Sequence, residues 1–391
     1  MRLLIILAAL IFPLGTLFAE DLTVIEQDYA AARRLAAAEK KLLFVDFYTT
    51  WCGPCKKLDR LVYTNDSVRH VLGSDFILLK YNAENDSVYH LSKKYHVISY
   101  PTGLVLDAAG NTYNRRYSFR GEDFAALSED LLGFAAEAKK RYDRGERYFG
   151  YGPEADPTIY PDYYRAYVDR TNLKLAPGVV TQYLDGTEDI LSEAFFANLV
   201  YFGEESSDEV AARVIEQRQE YVRRFGEESV NVAFFGVVGA MMERAFVAQD
   251  EEAYAAAVAY ARRSLNQKWA DDVLPGFQQD YLKAVGRWQE YFDSYAVKKA
   301  AGEMDAGYLN YVCGKFYREC DDPVVLRQAA AWMREVTEKT PEFSYYKTYA
   351  GLLHKAGDAE EAARVVALAR TAADREGLDP AKVSKALQEI E

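Results

Sequence analysis

Apolar and polar positions change their period along this chain, and the change divides it into parts. From residue 22 onward, short continuous apolar runs alternate with helix-spaced ones. Thr23 and Glu26 have the spacing of a capping box, which predicts a helix through about Lys40. "LLFVDFY" (42–48) is an apolar run of strand length, the pattern of a strand covered on both faces. "GPCKKLDRLVY" returns to helical spacing, "NDSVRHVL" predicts a short helix, and "FILLKYN" (76–82) predicts a second buried strand. "DSVYHLSKKYHV" reads as helix, "PTGLVLD" as a third strand and "AAGN" as a turn. An exposed strand, "TYNRRYSFR", and a long amphipathic helix, "EDFAALSEDLLGFAAEAKKRY", complete the set. Strands alternating with helices and closing in a hairpin and a helix make an α/β domain of about 120 residues.

The pattern then shifts. "RYDRGERYFGYGPEADPTIYPDYY" (141–164) combines Gly, Pro and Tyr, which fits a boundary segment packed by aromatic side chains rather than a free linker. Beyond it strand alternation stops. Amphipathic runs such as "SDEVAARVIEQRQEYVRRFG", "EEAYAAAVAYARRSL" and "DPAKVSKALQEIE" predict an all-α region. Three runs, "AQDEEAYAAAVAYARRSL", "CDDPVVLRQAAAWMREV" and "AGDAEEAARVVALARTA", each begin acidic and place small residues at helical spacing. Around the last, "SYYKTYAGLLHKAGDAEEAARVVALA" resembles a tetratricopeptide helix pair, with Gly351 and Ala362 or Ala363 where close packing needs small side chains. Such a helical repeat-like domain offers a surface for a protein partner.

Composition narrows the function classes. At 391 residues the chain exceeds one core, so two or three domains are expected. A net charge of −13 opposes binding to nucleic acid or an anionic membrane surface, and "KK" at 56–57 and "RR" at 115–116 are too short to build a basic patch. The N-terminus, "MRLLIILAALIFPLGTLFAEDL", has Arg2, an apolar stretch from Leu3 to Phe18 and Ala19 ahead of Glu20 and Asp21. That is the form of a signal peptide cleaved after Ala19, and it places the mature protein in a periplasmic or otherwise extracytoplasmic compartment. An uncleaved membrane anchor is the alternative, because Leu17 matches the cleavage pattern poorly. No other stretch approaches the ~18 apolar residues of a membrane span. The expected organisation is a leader at 1–19, an α/β domain at 22–145, the boundary segment at 146–165 and the helical domain at 166–391.

Four cysteines are too few for a disulfide-stapled scaffold, so the pair Cys52 and Cys55 is judged by its context. Half of a zinc site would need a second such pair or two His, and the four His, at 70, 90, 96 and 354, lack ligand spacing; they read as surface or helix residues and no metal is expected. "WCGPCK" follows an apolar strand that carries one acid, Asp46. Together with Lys80 in "LLKYN", Pro101 in "YPTG" and Gly121 after "SFR", these residues resemble the thioredoxin superfamily over about residues 25–140. "LVYTNDSVRHVLGSDFILLKYNAE" is most similar to the periplasmic C-terminal domain of transmembrane thiol-disulfide interchange proteins. The fold class expected is thus an α/β thioredoxin fold followed by an all-α helical repeat-like domain.

The residues support a definite chemistry. Cys52 stands where a strand gives way to a helix, with Pro54 in the first turn, where no N–H is needed. Backbone N–H groups and the helix dipole there stabilise a thiolate, making Cys52 the nucleophile. Cys55, one turn later, resolves the mixed disulfide, leaving a Cys52–Cys55 redox disulfide. Asp46, a carboxylate in an apolar strand, is the candidate proton acceptor. The resemblance adds Lys80 as the group that tunes Asp46, and a cis bond before Pro101 that lets Tyr100 hold a substrate backbone across Cys52. Trp51 forms a wall, and Gly53 and Pro54 join the substrate-binding surface. Tyr48, where thioredoxin has a tryptophan, and Tyr100, bulkier than the usual aliphatic residue, are departures that bear on substrate preference.

The function expected is a thiol-disulfide oxidoreductase reducing disulfides of exported proteins, since Gly-Pro between the cysteines resembles reducing thioredoxins. An oxidase or isomerase, or a helical binding module with a regulatory redox domain, are the alternatives. The dithiol is the only redox group expected, with no cofactor, and a membrane thiol-disulfide electron donor is the implied partner. Cys313 and Cys320 would lie ~10.5 Å apart along one helix, so two buried free thiols are expected there.

Overall fold

The computed structural model describes residues 21–152, 156–388 and 390. The expected leader at 1–19 lies outside the described residues. Five strands form one mixed sheet in the order β1-β3-β2-β4-β5: β1 (Val24–Glu26), β2 (Leu42–Tyr48), β3 (Phe76–Asn82), β4 (Thr102–Leu106) and β5 (Thr112–Tyr117). The β1–β3 and β2–β3 pairs are parallel, the β2–β4 and β4–β5 pairs antiparallel. Helices α1 (Tyr29–Glu39), α2 (Gly53–Leu58), α3 (Asp66–Asp75), α4 (Leu91–Lys94) and α5 (Phe124–Asp143) flank the sheet. The apolar runs at 42–48 and 76–82 are the central strands, buried along almost their whole length, as continuous apolar runs require. Phe44, Phe119 and Phe134 pack with ring centroids 5.5–6.4 Å apart in the core beneath α5.

Several local expectations are corrected. Thr23 and Glu26 form no capping box: Val24–Glu26 pairs with Leu78–Lys80 as a strand, and Asp28 caps α1, its carboxylate accepting from the Ala31 N–H at 2.8 Å. β-branched Val24 and Ile25 suit an edge strand better than a first helical turn. The helix expected over residues 86–97 shrinks to α4, because the Asp86 carboxylate accepts from the N–H groups of Leu91 and Ser92, both at 2.8 Å, and fixes a loop ahead of it. β5 is not exposed. Asn114 donates to the Phe134 carbonyl of α5 on one side, and Arg115 on the other is 3% exposed against Tyr151 and the His96 carbonyl. His96, expected at a surface, is fully buried, with its ring against Tyr151, Tyr160 and Phe196.

Fourteen α-helices follow among the described residues: α6 (Asp162–Val168), α7 (Val179–Gly186), α8 (Glu193–Phe202), α9 (Asp208–Glu216), α10 (Arg218–Phe225), α11 (Glu227–Ala248), α12 (Glu251–Ser264), α13 (Gln267–Ala284), α14 (Trp288–Ala300), α15 (Ala306–Glu319), α16 (Pro323–Lys339), α17 (Phe343–Lys355), α18 (Ala359–Glu376) and α19 (Pro380–Leu387). The described residues resolve into two compact units, one made of those up to Ala240 together with Tyr260–Gln267, the other of Met241–Ala259 together with those from Lys268 onward. The first unit therefore contains the sheet and α6–α10 together. Tyr164 of α6 donates to the Lys93 carbonyl at 3.3 Å, Tyr201 of α8 to the Val97 carbonyl at 2.8 Å, and the Gly150 N–H to the Arg224 carbonyl of α10 at 2.9 Å.

The second unit is all-helical. Arg327 of α16 reaches the turn between α17 and α18, donating to Asp358 at 2.9 Å and to the Ala356 carbonyl at 2.8 Å. Gly351 in α17 lies where a Cβ would stand 2.9 Å from the Tyr317 ring. Cys313 and Cys320 are free and buried; α15 ends at Cys320, and burial pushes the Cys313 thiol up to about 12. One expectation about membrane spans is also corrected: α11, at a mean hydropathy of 1.5, is long and apolar enough to cross a membrane by length and composition. Asn231 breaks its apolar run, which is why no continuous stretch stands out, and half of the apolar window is buried inside the protein.

Candidate active site

β2 delivers its C-terminal end, Tyr48, to a tight turn at Thr49–Trp51, closed by the Cys52 N–H donating to the Thr49 carbonyl at 3.2 Å. Cys52 is the N-cap of α2. Its extended backbone (φ −69°, ψ 108°) aims the sulfur back along the helix, where Sγ accepts from the Cys55 N–H at 3.0 Å. Pro54 occupies the first turn, where its missing N–H costs nothing. Cys52 and Cys55 are joined in a disulfide, with Cα atoms 5.3 Å apart, and both residues are buried, at 3% and 1% exposure. In the disulfide state the two differ little in exposure.

Access to the pair is set by its surroundings. Gly53 faces open space, with nothing within 4 Å of where a Cβ would stand, and Trp51 is 59% exposed. The Tyr100–Pro101 peptide is cis, as the resemblance implied. The Trp51 and Tyr100 rings meet edge to face, with centroids 5.9 Å apart, so the expected wall and the proline loop stand side by side. The Pro101 carbonyl accepts from the Ser118 N–H at 2.8 Å, which ties the loop to the end of β5.

Asp46 lies in the central strand opposite Lys80 of β3 and Gly103 of β4, two residues beyond Pro101. It is fully buried. Lys80 Nζ donates to Asp46 Oδ2 at 2.7 Å and to Asp59 Oδ1 at 2.5 Å, while Asp46 Oδ1 has no hydrogen-bond partner among the described residues. Burial raises the Asp46 pKa above the usual carboxylate value; the Lys80 charge offsets this in part, and the Asp59 charge adds to it. For Lys80 burial acts to lower the pKa, but Asp46 and Asp59 outweigh it, so the ammonium is held charged. The Tyr48 and Tyr63 rings lie 4.8 and 5.1 Å from Nζ and complete the enclosure.

Three of these neighbours were missed in the sequence. Asp59 stands on the π-helical turn that continues α2, four residues after Cys55, and that spacing on one helix face could have singled it out. Tyr63 ends the same turn; burial, then Asp46 and Asp59, keep its phenol protonated. Glu26, brought opposite Lys80 by β1, has its pKa raised by burial, and only the sheet pairing could reveal it. No group of three or more His, Cys, Asp or Glu among the described residues is placed to hold a metal ion.

Residues 24–108 match a family model described as thioredoxin-like. Thioredoxin-1 of Drosophila melanogaster is 38% identical over 92 residues, which are 23% of this chain and 77% of that protein. The thiol:disulfide interchange protein DsbD of Ralstonia nicotianae is 34% identical over 129 residues, 32% of this chain but 21% of that protein, so the match spans about a fifth of the relative's length. Among solved structures, a putative disulphide-isomerase from Bacteroides thetaiotaomicron shares 32% identity over 29% of this chain and 93% of its own, with a TM-score of 0.25.

Proposed function

We propose, from the premise that this chain belongs to the thioredoxin superfamily, that its thiol-disulfide oxidoreductase activity runs as a reductase of exported proteins outside the cytoplasm. The observation that carries the reading is the placement of Cys52 Sγ at the N-terminus of α2, accepting from the Cys55 N–H, in a site that also buries Asp46 against Lys80. In the reduced enzyme the same N–H and the helix dipole stabilise the Cys52 thiolate. That thiolate attacks a substrate disulfide: a bond forms from Cys52 Sγ to one substrate sulfur, and the other sulfur leaves as a thiolate. Asp46 then takes the Cys55 proton, aided by the burial that raises its pKa, with Lys80 holding the proton-free carboxylate in place. The Cys55 thiolate attacks Cys52 Sγ, closing the enzyme disulfide and releasing the second substrate thiol. Two electrons have passed from the dithiol to the substrate.

The disulfide so formed must be reduced again by a dithiol donor. Similarity to part of a thiol:disulfide interchange protein supports a membrane-borne donor, and the leader-like N-terminus supports an extracytoplasmic location. The α15–α18 helices retain the reading of a tetratricopeptide-like pair array, supported by Gly351 at a close approach and by the Arg327 clamp on the following turn. Equilibration of the Cys52/Cys55 couple against a glutathione buffer tests the direction. A potential near the roughly −270 mV of reducing thioredoxins is expected, and one near the roughly −120 mV of strong oxidants would exclude the reductase direction.

A further inference from the structure

The proline loop is one end of a cavity of about 1010 Å3 within the first unit. Thr49 and Tyr100 line it beside the cysteines; Tyr167 of α6 and the turn after it, reaching Leu173, line the other side. The two walls are fastened together. The Lys93 ammonium pairs with Asp169, Tyr164 donates to the Lys93 carbonyl, and Tyr201 donates to the Val97 carbonyl. Such a cavity is at or above the size of small-ligand pockets, roughly 300–1,000 Å3. Ile98 and Leu173, 40% and 60% exposed, give it apolar contact surface.

Its charged side chains are mostly committed. Asp86 accepts from Tyr81, Leu91 and Ser92; Asp169 is held by Lys93; Glu84 accepts from the Thr50 N–H at 2.6 Å. Arg170 is different: among the described residues its guanidinium has no hydrogen bond or ion pair. Its backbone is left-handed at φ 56°, with the N–H donating to the Tyr167 carbonyl at 3.0 Å. Its charge is felt at the Glu84 carboxylate, already held by Thr50, and at Tyr100, the residue before the cis-proline.

We propose that this cleft receives the polypeptide flanking the substrate's reacting cysteine, and that Arg170 selects segments carrying a carboxylate side chain within a few residues of it. The α/β fold then supplies the chemistry and the first helix of the helical region supplies part of the selection. Arg170 is exposed at the mouth of the cleft, so its pairing with a carboxylate is screened by solvent; it still favours such a segment over one with a Lys at the same place, which Arg170 repels. This rests on the oxidoreductase reading of Cys52 and Cys55.

The test uses the full-length reduced protein and two synthetic disulfide peptides that differ only in Glu or Lys at the positions flanking the cysteine, with hydroxyethyl disulfide as a small neutral substrate. In the wild type, kcat/KM for the Glu peptide is expected to exceed that for the Lys peptide by about two- to fivefold at low salt. Arg170→Gln should bring the ratio near one, and Arg170→Glu should invert it. The ratio is read within each protein, so a changed folded fraction cancels. Equal turnover of both peptides by the wild type, or an unchanged ratio in both variants, overturns the selection proposal. Failure of the wild type to reduce any of the three substrates would instead overturn the oxidoreductase reading on which it rests.

Discussion

Asp46→Asn separates a proton acceptor from a structural acid. Asparagine keeps the heavy-atom outline and an oxygen for Lys80, whose other partner, Asp59 at 2.5 Å, is untouched; what it loses is the capacity to take a proton. Without an acceptor, resolution depends on the fraction of Cys55 that ionises unaided. For a thiol of ordinary pKa, about 8.5, that fraction is roughly 3% at pH 7 and one half at pH 8.5. The resolution step should therefore slow about 30-fold at pH 7, more if burial hinders ionisation, and about twofold at pH 8.5. The assay is single-turnover reduction of a disulfide peptide, followed by quenching and mass analysis of the Cys52 mixed disulfide between pH 6 and 9. A loss that is the same at every pH would refute the reasoning, as would no loss at pH 7. Stability supplies a second reading. Because burial raises the Asp46 pKa, the folded state keeps that proton to higher pH than the unfolded chain does, and stability falls as pH rises through the interval between the two values. In Asp46→Asn that fall should disappear.

Two further outcomes concern packing and charge. Burial, with the Arg115 and Lys94 charges nearby, lowers the His96 pKa well below its usual value, so the unfolded chain takes up a proton that the folded state refuses. Urea midpoints should thus decline as pH drops below about 6.5, and decline less in His96→Asn, a residue that tolerates the φ of 48° there. In the second unit, Gly351→Val would press a side chain against the Tyr317 ring, where a Cβ already stands 2.9 Å away, and should cost about 1–3 kcal/mol, read as a lowered midpoint of thermal or denaturant unfolding.

What could be read in the sequence follows from how local each cause is. β2, β3 and the turn into α2 were legible because a continuous apolar run, a cysteine pair and a proline each dictate structure over a few residues. Asp46 stood out because an acid inside such a run is costly without a purpose. β5 and His96 were misjudged for the opposite reason: "NRR" looks solvated until α5 and the segment around Tyr151 cover both faces, and no local pattern reveals that cover. Thr23–Glu26 offered a cap by spacing, but a parallel pairing with β3, distant in sequence, decided the matter. Asp59 was readable from its place one turn after Cys55, whereas Arg170 and its cleft exist only because α6 folds back onto the loops around α4.

The central claim is that Cys52 exchanges covalently with substrate disulfides and Cys55 completes the exchange. Incubating reduced Cys55→Ser with a defined disulfide peptide and weighing the intact protein tests it most directly. The account predicts a stable one-to-one adduct whose peptide maps to Cys52 and which is absent from the Cys52→Ser, Cys55→Ser double variant. Folded Cys55→Ser protein that forms no adduct, or a double variant that forms it equally well, would contradict it.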